Sequence, residues 1–209
     1  MNVEKSSNFW DKIAKRYANT PVKDEATYQK KLEITRKFLT PDSSVLEIGC
    51  GTGSTSIAHA PFARYIHATD ISANMIEIAR AKAKQQSIDN VDFDQVSIDN
   101  LDVPNGSVDV ALAMSILHLV DDRHQVMKKI HAALKPGGVF ISSTICLGDS
   151  LKFFKYVGPV GYWLGLLPMV KFFTNKELLS SITATGFTIE QDWLPGKNKA
   201  TFVVARKPA

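Results

Sequence analysis

Between Glu47 and Gly53 the chain reads Glu-Ile-Gly-Cys-Gly-Thr-Gly. Three alternate glycines leave the backbone bare, so the chain can turn tightly and a ligand can approach main-chain amides at the start of a helix. Asp70 follows Gly49 by 21 positions and closes the next apolar run. A carboxylate there can accept the hydroxyl hydrogens of a ribose, or it can cap the helix that follows. The pair is compatible with a nicotinamide-dependent oxidoreductase, whose fingerprint wants a small residue at the sixth position, where Ser54 stands. His118 lies just beyond another apolar run. Its imidazole titrates near neutrality and can serve as a general base, or it can be a packed or capping side chain. His59 and His67 fall away from the carboxyl ends of the strands and read as structural.

These residues need strands and helices to position them. Phe9, Trp10, Ile13, Ala14 and Tyr17 share one side of a first helix. A second runs from about Asp24 to Leu39 and stops at Thr40-Pro41-Asp42, since proline cannot continue the hydrogen-bond ladder. Strands are expected at 44–48, 65–69, 91–96, 108–113 and 139–145. Ser72 caps the helix after the second strand, and a helix with the stripe Val126, Ile130, Ala133 and Leu134 stops at Lys135-Pro136-Gly137-Gly138. Thr174 and Glu177 form a capping box, and a hairpin of 187–194 and 201–205 ends the chain. Short apolar strands alternating with helices predict a doubly wound α/β sheet covered on both faces.

The 209 residues suit one domain, 1–209, and the net charge of +4 is modest. Lys30, Lys31, Arg36 and Lys37 read as a solvated helix face, and no nucleic-acid partner is expected. Cys50 and Cys146 lack disulfide or zinc spacing. With an N-terminus that lacks a signal-peptide pattern, they point to a cytoplasmic protein. The longest uncharged stretch lies within Tyr156 to Val170 and is too short to span a bilayer.

Several segments, in order, resemble class I S-adenosylmethionine-dependent methyltransferases of the small-molecule, quinone-biosynthesis-like type. VLEIGCGTGS, from Val45 to Ser54, is similar to their first motif, and Tyr65 to Met75 to their second-strand motif. Asn105 to Val110, Ile116 to Val120 and Leu134 to Gly138 resemble the later motifs. The resemblance runs from about Phe9 to Lys207. It implies a Rossmann-like, doubly wound, seven-stranded sheet of order 3-2-1-4-5-7-6 with strand 7 antiparallel, and S-adenosyl-L-methionine as cofactor. It places Glu47, Gly49, Cys50 and Gly51 around the methionine moiety, Asp70 on the ribose, and Ile71 and Met75 beside the adenine. Tyr17 closes the pocket, unless it is core packing, and Met114 joins the cofactor set. One departure is Ser97, which stands where family members often carry an acidic residue for the adenine amino group; Ile98 is grouped with it, and Asp99 follows.

The stretch at about 147–173 is an apolar insertion after the fifth strand, where members of this family vary. As a lid it can line a pocket for a hydrophobic acceptor, touch a membrane interface, or complete the core. Phe153, Phe154, Tyr162, Trp163 and Phe173 are its candidate pocket aromatics. The function so implied is methyl transfer to a small, partly hydrophobic acceptor. A module that binds the cofactor without turnover is the alternative, and an oxidoreductase leaves the terminal hairpin and Leu134 to Gly138 unexplained.

Overall fold

The computed structural model describes residues 3–149, 162, 167–196 and 199–209. Two helices, α1 (Val3–Ala18) and α2 (Glu25–Arg36), precede the first strand. Asp24 caps α2 by accepting from Thr27 N. The helix ends three residues earlier than the sequence suggests, because Lys37, Phe38 and Leu39 continue it only as tight turns, bonding to the carbonyls of Ile34, Thr35 and Arg36. Then follow β1 (Ser44–Ile48), α3 (Ser54–His59), β2 (Tyr65–Asp70), α4 (Ala73–Gln85) and β3 (Val91–Gln95). The second half holds β4 (Val108–Met114), α5 (Arg123–Ala133), β5 (Leu134–Thr144), α6 (Asn175–Ala184), β6 (Thr188–Trp193) and β7 (Thr201–Arg206).

The strands form one sheet in the order β3-β2-β1-β4-β5-β7-β6. The pairs from β3 to β5 are parallel, and β7 runs antiparallel to both β5 and β6. Side chains alternate across the pleat, so each strand feeds two cores. Leu46, Ile48, Phe140 and Val203 pack on the face covered by α5 and α6. Val45, Ile141, Phe202 and Val204 pack on the face of α2, α3 and α4. Strand order reverses between β1 and β4, which opens a cleft at their carboxyl ends.

Two local readings of the sequence change. β5 starts at Leu134 rather than Val139, because Lys135-Pro-Gly-Gly stops the helix but remains extended. Leu134 pairs with Val108 before a register shift to Val110↔Val139, and Gly137 N and Gly138 O bond to Lys207. Proline sits at this irregularity, where a missing donor is tolerated. Phe173, expected in the lid, is instead core: it is 2% exposed, packs with the α5–α6 cluster, and carries the Arg123 guanidinium over its ring. Phe153, Phe154 and Trp163 lie outside the described residues. Tyr162 is half-buried under the Lys5 ammonium. No described helix is long and apolar enough to cross a membrane.

Candidate active site

The turn after β1 is built by backbone that only glycine tolerates well. Gly51 and Gly53 both have positive φ, 53° and 75°. Their surroundings differ. A Cβ on Gly53 would lie 2.8 Å from both Ala79 Cβ and a Phe93 ring carbon, so the glycine lets α3 sit down on α4 and β3. Among the described residues a Cβ on Gly51 would meet only Tyr17, at 3.9 Å, so this glycine keeps the cleft open.

Asp70 at the end of β2 ties this turn to the next helix. Its Oδ2 accepts from Gly51 N and its Oδ1 from Ser72 N, each at 2.9 Å. Ser72, not Asp70, is the N-cap of α4, accepting from Met75 N. Burial raises the Asp70 carboxyl above its usual range, while the backbone donors pull it back. The Ser72 hydroxyl donates to Asp11 of α1 at 2.6 Å, and Asp11 also accepts from Asn74 N. Asp11 therefore docks α1 over the cleft, a role its sequence position beside Trp10 did not disclose.

Two neighbouring cavities occupy the cleft. The first, of about 100 Å³, is lined by Asp70, Ile71, Met75, Ser97 and Ile98, with Trp10 and Asp99 beside them. The second, of about 430 Å³, is lined by Glu47 and Cys50 and by Tyr28, Lys31, Leu32 and Ser143. Tyr17, Gly49, Gly51, Met114 and Ser115 belong to both. Tyr17 is half exposed at this junction, with its ring edge-on to Trp10. At the Ser97 departure, the Ser97 hydroxyl accepts from Asp99 N at 3.3 Å, and both residues line the first cavity.

Glu47 is 1% exposed and accepts a short hydrogen bond from the Ser56 hydroxyl of α3. Burial pushes its pKa up from 4.5 to about 7, with the Ser56 bond opposing. The folded chain thus keeps a proton that the unfolded chain gives up. This group's contribution to stability is present in full below about pH 4.5 and is lost as the pH rises to about 7. Glu47→Gln should flatten that part of the profile, as read by denaturant unfolding at a series of pH values. An identical slope in both proteins would contradict it. Cys50 is buried, which raises its thiol well above the usual range and leaves it unreactive.

His118 is not brought to either cavity. It sits in the turn after β4, 7% exposed, its carbonyl held by Lys171 N and its Nδ1 without a partner among the described residues. Burial lowers its pKa to about 4. Sequence position placed it near the cleft; in the structure it is buried in the turn after β4 and lines neither cavity. His59 and His67 are structural, the first buried beneath α2 and the second bonded to Asp94 at 2.8 Å. Tyr28, Lys31, Leu32 and Thr35 were missed as site residues. Their spacing of three and four along α2 was a usable signal, since it sets them on one helix face. Lys31 is half-buried rather than solvated, its ammonium donating to Ser143 of β5 at 2.8 Å. Among the described residues no group of three His, Cys, Asp or Glu side chains could hold a metal ion.

A sheet of this order, with a glycine turn after β1 and a carboxylate ending β2, is the Rossmann-like fold of class I methyltransferases. The family model described as a methyltransferase domain matches residues 39–197, and the chain belongs to that family. It is 26% identical over 167 residues to phosphoethanolamine N-methyltransferase 2 of Caenorhabditis elegans, covering 77% of this chain and 38% of that protein. It is 32% identical over 135 residues to a ubiquinone biosynthesis O-methyltransferase of Coxiella burnetii, covering 65% and 57%. The chain thus spans well under two thirds of the length of these curated relatives. Among solved structures, the YcgJ protein of Bacillus subtilis superposes with a TM-score of 0.72 at 17% identity, covering 87% of this chain and 99% of the other.

Proposed function

We propose that this chain transfers the methyl group of S-adenosylmethionine to a small, partly hydrophobic acceptor. The observation that carries the reading is the pair of adjoining cavities at the β1/β4 switch point, joined at Gly49 and Gly51 and flanked by Asp70. The residues fit such a cofactor. Asp70 has a carboxylate anchored by two backbone amides, leaving lone pairs for ribose hydroxyls. Ile71, Met75 and Ile98 offer apolar walls to an adenine, and Asp99 an acceptor for its amino group in place of Ser97. Gly49, Gly51, Met114 and Tyr17 stand between the cavities, and Glu47 and Cys50 line the second one near the methionine moiety.

When bound, the cofactor supplies an electrophilic methyl on a sulfonium that leaves as a neutral thioether. The chain's task is then chiefly to hold donor and acceptor in line and keep water out, and such positioning is worth up to about 7 to 11 kcal/mol. His118 lines neither cavity, so this reading gives it no base role. The two curated relatives differ in methylating nitrogen in one case and oxygen in the other, as their names state, and both names support a small-molecule acceptor. The reading is tested by incubating the chain with methyl-labelled S-adenosylmethionine and a panel of small phenols, acids and amines. S-adenosylhomocysteine should form in an acceptor-dependent way. Tight binding with no turnover on any acceptor would favour a cofactor-binding module instead.

A further inference from the structure

Part of the wall of the first cavity is irregular backbone. Residues 96–107, between β3 and β4, form neither helix nor strand, yet Ser97, Ile98 and Asp99 line the cavity where the adenine would lie. A wall on a loop is only as precise as the bonds that hold the loop. At its start Val96 N donates to Asp70 O at 3.0 Å, and past the turn Leu101, 4% exposed, anchors it in the core. Between these points Lys129 of α5 reaches across, its ammonium donating to Ile98 O at 2.8 Å and to Asp99 O at 3.0 Å. The amide hydrogens of the same two peptides go elsewhere. Asp99 N donates to the Ser97 hydroxyl at 3.3 Å, and Asn100 N to Ser97 O at 2.9 Å. A planar trans peptide points its C=O and N–H to opposite sides, so both peptides of this turn are gripped on both edges, by Lys129 and by Ser97. Lys129 itself lines neither cavity. The other loop of the wall is pinned in a similar way, with Ile71 O accepting from the Ser7 hydroxyl at 2.9 Å and from the Gln95 amide at 3.3 Å.

We propose that Lys129 is a positioning residue for base recognition: by fixing the turn at 97–100 it lets that turn meet the adenine in one geometry, and the preference for adenine over a base with a different edge depends on it. This inference rests on the methyltransferase reading above, in which the first cavity takes the adenosine end of the cofactor. The bonds from the ammonium are charge-assisted, roughly twice as strong as neutral ones, so they are suited to holding two peptide planes at once. Apolar contact from Ile98 and Met75 has no direction, and a turn free to rotate its peptides would still supply it. Telling an amino group from an oxygen at the base edge is different. It needs hydrogen-bonding groups at fixed distance and angle, and a misaligned group discriminates poorly. Loss of Lys129 should therefore cost base specificity first.

The test uses calorimetry on the full chain, at a temperature where circular dichroism shows every variant folded. The probes are S-adenosylhomocysteine and S-inosylhomocysteine, in which an oxygen replaces the adenine amino group. The wild-type chain should bind the adenine compound at least about ten-fold more tightly. Lys129→Met, and Lys129→Gln, which keeps a polar group on the helix, should each cut that ratio to about three-fold or less, chiefly by weakening S-adenosylhomocysteine. Lys129→Arg should keep most of the ratio, since a guanidinium has donors for both carbonyls. Variants that lose affinity for both compounds equally, or that bind both as the wild type does, keep the ratio and overturn the proposal, because Lys129 would then serve the fold alone. Equal binding of the two compounds by the wild-type chain overturns it without needing a variant. A wild-type chain that binds neither would sink the methyltransferase reading itself, which separates the two failures.

Discussion

Gly53→Ala should unfold the protein far more readily, while Gly51→Ala should leave it folded and impair the cofactor site. At Gly53 the new methyl carbon would be driven to 2.8 Å from Ala79 and Phe93, on a backbone with φ of 75°. Overpacking and left-handed strain together cost about 3 kcal/mol or more. For a chain of this size that is a fall in Tm of roughly 6 to 12 °C. At Gly51 the methyl has room, with Tyr17 at 3.9 Å, so the strain alone costs about 1 kcal/mol. It would nonetheless occupy space between the two cavities. Thermal unfolding and S-adenosylhomocysteine titration on both variants check the pair. A Gly51→Ala protein that binds normally would remove that glycine from the site.

Asp70→Ala should weaken S-adenosylhomocysteine binding about ten-fold to one-hundred-fold, since hydrogen bonds to a charged acceptor are worth about 1.5 to 3 kcal/mol. The structure adds a second cost. Gly51 N and Ser72 N both lose their acceptor, so stability should fall by about 1 to 3 kcal/mol as well. Asp70→Asn keeps the shape and separates the effects, because one amide oxygen can still accept from one of the two backbone donors. Affinity retained in a folded Asp70→Ala protein would show that the carboxylate serves only the turn.

What the sequence disclosed was local. The glycine turn, Ser72 as a cap, and Thr174 with Glu177 as a capping box each depend on residues within a few positions of one another, and each is in place. The family motifs carried the strand order, including the antiparallel β7. What escaped depends on contacts between distant segments. Lys31 looks like one more surface lysine until β5 brings Ser143 beneath it. Asp11 is unremarked until α1 lies against α4. Asp109, an oddity in an apolar strand, accepts from Ser44 N and from the Lys135 ammonium, binding β4 to its neighbours. His118 was read correctly as following β4, but whether a residue there lines a cavity depends on how that turn packs, and His118 lines neither. Phe173 was apolar and aromatic in a segment taken as a lid, and only the packing of α5 and α6 marks it as core.

The most direct measurement is a calorimetric titration of the purified chain with S-adenosylhomocysteine and, separately, with NAD. The two ligands share an adenosine and would both use Asp70 and the glycine turn, so the comparison isolates the methyltransferase reading from any other use of this fold. S-adenosylhomocysteine should bind with a Kd in the micromolar range, about −8 kcal/mol, and NAD should give no heat of binding at the same concentrations. Binding of NAD with none of S-adenosylhomocysteine would contradict the assignment.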